Sequence, residues 1–189
     1  EYPGVLIMED DHFALMATTP HHSVIPNSSY HWALFRSVSK GLGPDLRMAF
    51  VAADPESAKR INTRLAPGMS WVSRVLQSLV LTCLSTETFQ SKLRIAKQRC
   101  SACRDSLLNA LRQQNINSTT VRDGLNVWVL LDKDPQYVAL ALSQKGWLVR
   151  PGNHFDINSE SKAIRVSIQK LDDKSAAQFA LHLAEVLRE

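Results

Sequence analysis

Twice in this chain of 189 residues an apolar run leads into an Asp-Pro pair: "RMAFVAADPE" at 47–56 and "LNVWVLLDKDPQ" at 125–136. A run apolar at every position suits a strand buried on both faces. Aspartate is a strong helix N-cap, and proline is tolerated at the first helical turn, where its missing N–H costs nothing. A strand that hands over directly to a helix, in two places, predicts an α/β chain whose sheet is covered on both faces. The neighbouring segments extend the pattern. "VLIM" at 5–8 reads as a strand ending in Glu9, Asp10 and Asp11, "SYHWALF" at 29–35 as a second, and 47–53 as a third. The helix begun at Pro55 stops before "APG" at 66–68. Later, Gly146 ends the helix begun at Pro135, "WLVR" at 147–150 and "AIRVSI" at 163–168 read as strands, and Asp172 or Asp173 caps a last helix.

Between these two sets lies helical sequence. Val72, Val75, Leu76, Leu79 and Val80 form one stripe. After Ser85 and Thr86 a second stripe runs through Phe89, Leu93, Ala96, Cys100, Cys103, Leu107 and Leu111. A helix over 86–114 would be roughly 43 Å long, enough to bridge two subdomains. The spacing therefore predicts a division into residues 1–70 and residues 71–189, the latter holding the bridging helices and a smaller α/β unit. Cys100 and Cys103 have two residues between them, as in zinc and redox sites, but both fall on the apolar stripe, and no second pair has matching spacing. Core packing is the expected role, with no metal.

Hydrophobic residues make up 44% and charged residues 21% of the chain, within the globular range. The net charge of +4 permits an acidic partner without requiring nucleic acid. There is no helix-turn-helix, zinc-finger or ribonucleoprotein signature. No apolar run is long enough for a bilayer, and the N-terminal residues lack the pattern of a signal peptide. Three cysteines fit a reducing cytoplasm better than a disulfide framework. His21 and His22, between Pro20 and Pro26, read as a surface loop. Lys92, Arg94, Lys97, Arg99 and Arg104 read as the solvated side of the long helix.

The chemistry concentrates in "RSVSKGLGPDLRMAF" at 36–50. Lys40 ends a strand at a tight Gly-x-Gly-Pro turn, where an amine can be held for attack on a carbonyl. Arg47 offers a planar fork for phosphate, and Ser37 and Ser39 add hydroxyls. Asp10 ends an earlier strand, and a buried carboxylate there can hold a pyridine nitrogen protonated. His12 can point the same way and bond a phenolic oxygen. By residue type alone, ordinary strand-end lysines, arginines and aspartates are the better account of this set.

Taken in order, "MEDDHF", "SVSKGLGPDLR" and "RPGNHF…AIRVSI" resemble pyridoxal-phosphate enzymes of the aspartate aminotransferase type, fold type I. The resemblance covers the whole chain and is strongest to MocR-type transcriptional regulators, which join a winged helix-turn-helix domain of the GntR kind to an aminotransferase-like domain. It implies an α/β fold made of the C-terminal part of the large domain, a long joining helix and the small domain. It also implies roles. Lys40 falls at the Schiff-base lysine and is the candidate catalytic residue. Arg47 and Ser37 fall at phosphate-binding positions, and Asp10 at the aspartate facing the pyridine nitrogen. Arg165 falls at the arginine that receives an amino acid's α-carboxylate. His12 stands where the regulators usually show tyrosine. Aminoadipate and kynurenine aminotransferases typically read Glu-Asp-Asp-Pro-Tyr here; this chain has no proline and places its ring two positions after Asp10.

The resemblance leads us to expect a cytoplasmic, homodimeric regulator that senses a B6 vitamer or an amino acid. This chain would be its C-terminal piece, and DNA would be bound only through an N-terminal domain outside the chain. Pyridoxal 5'-phosphate is the expected cofactor of the intact protein, held weakly or not at all by this piece alone. The alternative is part of a true aminotransferase, in which Lys40 also shuttles a proton. A third reading is a dimerisation scaffold that binds no cofactor.

Overall fold

The computed structural model describes residues 4–27, 29–68, 71–119, 123–158 and 160–189. Among the described residues six strands and six α-helices follow in chain order. They are β1 (Ile7–Asp10), β2 (Trp32–Ser37), α1 (Ser39–Leu42), β3 (Ala49–Ala53), α2 (Pro55–Leu65), α3 (Arg74–Ser85) and α4 (Glu87–Gln113). After these come β4 (Asn126–Leu130), α5 (Pro135–Gln144), β5 (Arg150–Pro151), β6 (Ala163–Ser167) and α6 (Asp173–Arg188). Short 3-10 turns occupy Pro44–Leu46 and Gly152–His154. The chain separates into two compact units, residues 1–96 and 97–189, and the division falls inside α4. That helix has 27 residues, about 40 Å of rise.

Both Asp-Pro signals act as their chemistry predicts. Asp54 accepts from the backbone N–H groups of Glu56 and Ser57 at the start of α2. Asp134 accepts from that of Tyr137 at the start of α5.

In the first unit the strand order is β1-β2-β3. β1 runs parallel to β2, with Asp10 opposite Phe35, and β2 runs antiparallel to β3, with Ser37 opposite Ala49. The expectation of a sheet covered on both faces is not met among the described residues. Four of the five β3 residues are exposed, and Met8 and Phe50 are 64% and 50% exposed. The covering that exists is local: Val80 of α3 packs with Val38 and Met48, backed by Leu15, Leu42 and Val72.

In the second unit β6 lies between β4 and β5, and both pairings are antiparallel. One continuous core joins the inward residues of α4, β4, α5, β6 and α6, among them Leu107, Val129, Leu142, Ile164 and Phe179. Cys103 belongs to it, and Cys100 is partly buried. The strand expected over 147–150 shrinks to Arg150–Pro151. The Trp147 N–H donates to Leu142 O, closing α5 beyond the left-handed Gly146, and Leu148 is left 93% exposed. Among the described residues no helix is long and apolar enough to cross a membrane.

Candidate functional site

Because β1 and β2 are parallel, their C-terminal ends arrive side by side, and the Asp11 N–H donates to Phe35 O. The segments leaving those ends carry most of the chemistry-bearing residues, as is usual at the carboxyl ends of parallel strands. Ser37, the last residue of β2, is buried. Its hydroxyl donates to Ser39 Oγ at 3.0 Å and accepts from the Ser39 N–H at 3.1 Å. Lys40 lies in the single turn of α1 rather than on the bend itself. The bend follows, through Gly43 at φ 120° and Arg47 at φ 45°. Left-handed backbone is uncommon for a non-glycine residue, and such positions cluster at functional sites. Here it carries the chain from the 3-10 turn into β3.

Gly41 is required by contact. A Cβ there would stand 2.6 Å from the Leu15 Cβ, so the missing side chain lets the segment bearing His12 approach the turn bearing Lys40. Between them lies a cavity of about 350 Å³ lined by His12, Ser37, Ser39, Lys40, Arg47 and Met48, among others. The volume is at the lower end of small-molecule sites. Neither Lys40 nor Arg47 has an ion-pair partner among the described residues. Two cations, two hydroxyls and an imidazole around one cavity suit a small anion that also carries an amine-reactive group.

Asp10 joins the cavity indirectly, through a contact between its Oδ1 and His12 Nδ1. The sequence reading expected a buried carboxylate; Asp10 is 73% exposed, because no described element covers that face of β1. Its neighbours are the buried ones. Glu9, 8% exposed, accepts from the Ser23 hydroxyl at 2.7 Å, from the Val24 N–H and from the Ile25 N–H at 3.1 Å. The Ser23 hydroxyl, with the Val24 and Ile25 N–H groups and nearby His21, holds its carboxyl below the usual range against the opposing effect of burial. His21 reaches both Glu9 and Asp11, and Arg36 Nε donates to Asp11 Oδ2 at 3.0 Å. His21 does lie on an exposed loop, as the sequence suggested; its reach to Glu9 and Asp11 was not read.

Arg165 lies on β6 of the second unit and is not among the residues lining the Lys40 cavity. It is half-buried, with its guanidinium carbon 4.5 Å from the centroid of the Phe155 ring and its Nε buried without a hydrogen-bond partner. No group of three or more His, Cys, Asp or Glu side chains able to hold a metal occurs among the described residues.

Residues 1–183 match the family Aminotransferase class I and II. The chain belongs to that family. It is 39% identical over 98% of its length to the vitamin B6 salvage pathway transcriptional repressor PtsJ of Salmonella typhimurium, covering 43% of that protein. It is 23% identical to a 2-aminoadipate transaminase of Thermus thermophilus, covering 49% of it. The chain thus spans about half the length of these curated relatives. Among solved structures, an aromatic aminotransferase from Pyrococcus horikoshii superposes with a TM-score of 0.84 at 13% identity, over 97% of this chain and 51% of that one. The α-aminoadipate aminotransferase of Thermus thermophilus, solved with N-(5'-phosphopyridoxyl)-L-leucine, superposes with a TM-score of 0.80 at 21% identity, over 98% of this chain and 50% of that one. The fold is that of the type I aminotransferases.

Proposed function

We propose that this chain is the effector-binding and dimerisation region of a pyridoxal-phosphate-dependent transcriptional regulator of the MocR type, sensing a vitamin B6 vitamer or an amino acid. The observation that carries the reading is the 39% identity to a B6-pathway repressor, against 23% to a transaminase, over the same 98% of the chain. Residues 1–70 belong to the cofactor-binding large domain in this reading, and residues 71–189 form the bridging helices and small domain. DNA is contacted by a domain outside the chain, and the working protein is a cytoplasmic homodimer.

The residues around the cavity fit the cofactor. A phosphate dianion calls for cations and hydroxyls, and Arg47, Ser37 and Ser39 line the same space as Lys40. Pyridoxal phosphate, when bound, supplies an aldehyde that condenses with amines and a ring that draws electron density from them. The chain's own residues do the rest. The Lys40 amine would take the aldehyde, and Arg47 with Ser37 would hold the phosphate. His12, with Asp10 against it, would serve the polar atoms of the ring. Arg165 receives the carboxylate of an amino-acid ligand through its paired N–H groups. A ligand that binds one arrangement of the domains more tightly than another shifts their populations, and the DNA-binding domain reports the shift.

The test is made on the full-length protein. With pyridoxal phosphate added it should gain a visible absorbance band. Retention of a DNA fragment containing its own promoter should then change with added vitamer or amino acid. Rapid transfer of amino groups to a 2-oxo acid, with DNA retention indifferent to ligands, would favour the aminotransferase alternative. No band at all would favour a scaffold.

A further inference from the structure

We infer that His21 is a positioning residue, which fixes the Asp10–His12 face of the cavity by clasping Glu9 and Asp11 at the same strand end. The inference rests on the cofactor reading above.

The geometry is specific. His21 Nε2 lies 3.1 Å from Glu9 Oε2, and His21 Nδ1 lies 3.3 Å from Asp11 Oδ2. Ionised carboxylates only accept hydrogen bonds, and a neutral imidazole has one N–H and one lone pair. The Glu9 contact is a hydrogen bond, and the Asp11 contact is within ion-pair distance. Each carboxylate is also held elsewhere. The other oxygen of Glu9 takes the Ser23 hydroxyl and the Val24 and Ile25 N–H groups, and Asp11 takes Arg36 Nε. Glu9 and Asp11 are 8% and 18% exposed, so leaving either without its donors costs more than at an open surface.

Side chains alternate along β1, so Glu9 and Asp10 face opposite sides of the strand end, and the chain passes through Asp11 directly into the turn that carries His12. With Glu9 and Asp11 clasped and the Asp11 N–H bonded to Phe35 O, the backbone from 9 to 12 is held from one side and from the neighbouring strand. His12 is thereby presented to the Lys40 cavity, with Asp10 against it. His21 is not among the residues lining that cavity, so it acts only through the strand end.

The experiment compares the full-length wild type with His21→Ala, His21→Phe and His21→Lys. The phenylalanine variant keeps a ring without donors, and the lysine variant keeps a cation able to donate to both carboxylates. Two readouts are taken: amide hydrogen exchange at Val24 and Ile25 without cofactor, and the absorbance maximum and Kd with pyridoxal phosphate. We expect faster exchange at both amides in the alanine and phenylalanine variants. We also expect a displaced absorbance maximum and affinity weakened about tenfold, the worth of one charge-assisted hydrogen bond. His21→Lys should restore the maximum toward wild type. Faster exchange with an unchanged maximum and affinity would make His21 a loop anchor only and overturn the inference. Unchanged exchange and unchanged spectrum would overturn it as well, and so would a lysine variant no better than alanine. A wild type with no band would overturn the cofactor reading first, and this inference with it, which separates the two failures.

Discussion

The two units spend their apolar residues differently. In 97–189 a three-stranded antiparallel sheet and the helices around it close one core, with Leu107, Val127, Val129, Val138, Leu142, Ile164 and Leu183 all at 0% exposure. In 1–96 the buried cluster is Val38, Met48 and Val80, while Met8, Phe50, Val51, Val75 and Leu81 are exposed. Yet the open unit holds the Lys40 cavity. Burial thus does not mark the site. The cavity forms where two parallel strands end together and their outgoing segments meet. The open unit keeps Lys40 and Arg47 without ion-pair partners among the described residues, whereas the closed unit's Lys145 is paired with Glu185 at 2.8 Å.

The sharpest way to break that contrast is to move the chemistry. Borohydride reduction of the full-length protein with pyridoxal phosphate, followed by peptide mapping, should place the cofactor on Lys40, and Lys40→Ala should abolish the label. A label on a lysine of the second unit would place the site in the wrong half of the chain.

A smaller effect tests burial itself. Phe179 is 1% exposed and packs edge-on against Trp147 at 5.4 Å between centroids, so Phe179→Ala should destabilise the chain by about 3–5 kcal/mol. Phe50, half-exposed on β3, should tolerate the same change within about 0.5 kcal/mol. Urea unfolding of the two variants measures both. Equal losses would mean that Phe50 is covered in solution by something outside the described residues.

The difference between the units also decided what could be read from the sequence. Elements were legible where local chemistry is decisive: Asp54-Pro55 and Asp134-Pro135 start helices, and the steps of three and four from Phe89 to Leu111 form α4. The grouping of Lys40, Arg47, Ser37 and His12 around one cavity was legible through the resemblance, and residue types alone left it open. What could not be read depends on partners distant in sequence. Asp10 was read as a buried carboxylate able to hold a pyridine nitrogen protonated, but burial needs a covering element and none is described over that face. The role of His21 depends on a loop folding back 12 residues onto Glu9, which no local pattern encodes. The two-residue β5 reflects the exit from α5 through Gly146, a turn that overrode the apolar character of "WLV".

Gly152 sharpens the contrast at close range. A Cβ there would meet Ala163 O at 2.7 Å and Trp128 Cζ2 at 3.0 Å, and the first of these is backbone that cannot swing aside. Gly152→Ala should cost about 1–3 kcal/mol through overpacking against β6. At Gly41 the obstructing atoms belong to the Leu15 side chain, so Gly41→Ala should show instead as a displaced His12 segment and weakened cofactor affinity. A Gly152→Ala variant with unchanged Tm would mean that the Pro151–His154 turn sits farther from β6 than the structure places it.

The smallest expected effect concerns the two Asp-Pro caps, which look alike in sequence and differ in reach. Asp134 accepts from Tyr137 N–H within its own helix. Asp54 accepts from Glu56 and Ser57 and also from the Trp32 N–H at 2.7 Å, so it ties the start of α2 to the start of β2. The Ser57 side chain, then the Ser57, Trp32 and Glu56 backbone N–H groups, hold its carboxyl far below the usual range, outweighing burial. A carboxyl depressed by folding stabilises the native state fully above its unfolded pKa, about 3.9, and loses that contribution as pH falls below it. Asn at this position has one acceptor oxygen in place of two, too few for three N–H donors. Asp54→Asn should therefore lower Tm at pH 7, and the gap to wild type should narrow as pH is taken from 5 toward 2. Asp134→Asn should show a smaller gap at pH 7. A gap for Asp54→Asn that stays constant down to the lowest pH would mean that the carboxylate's charge contributes nothing, and that the two caps are equivalent after all.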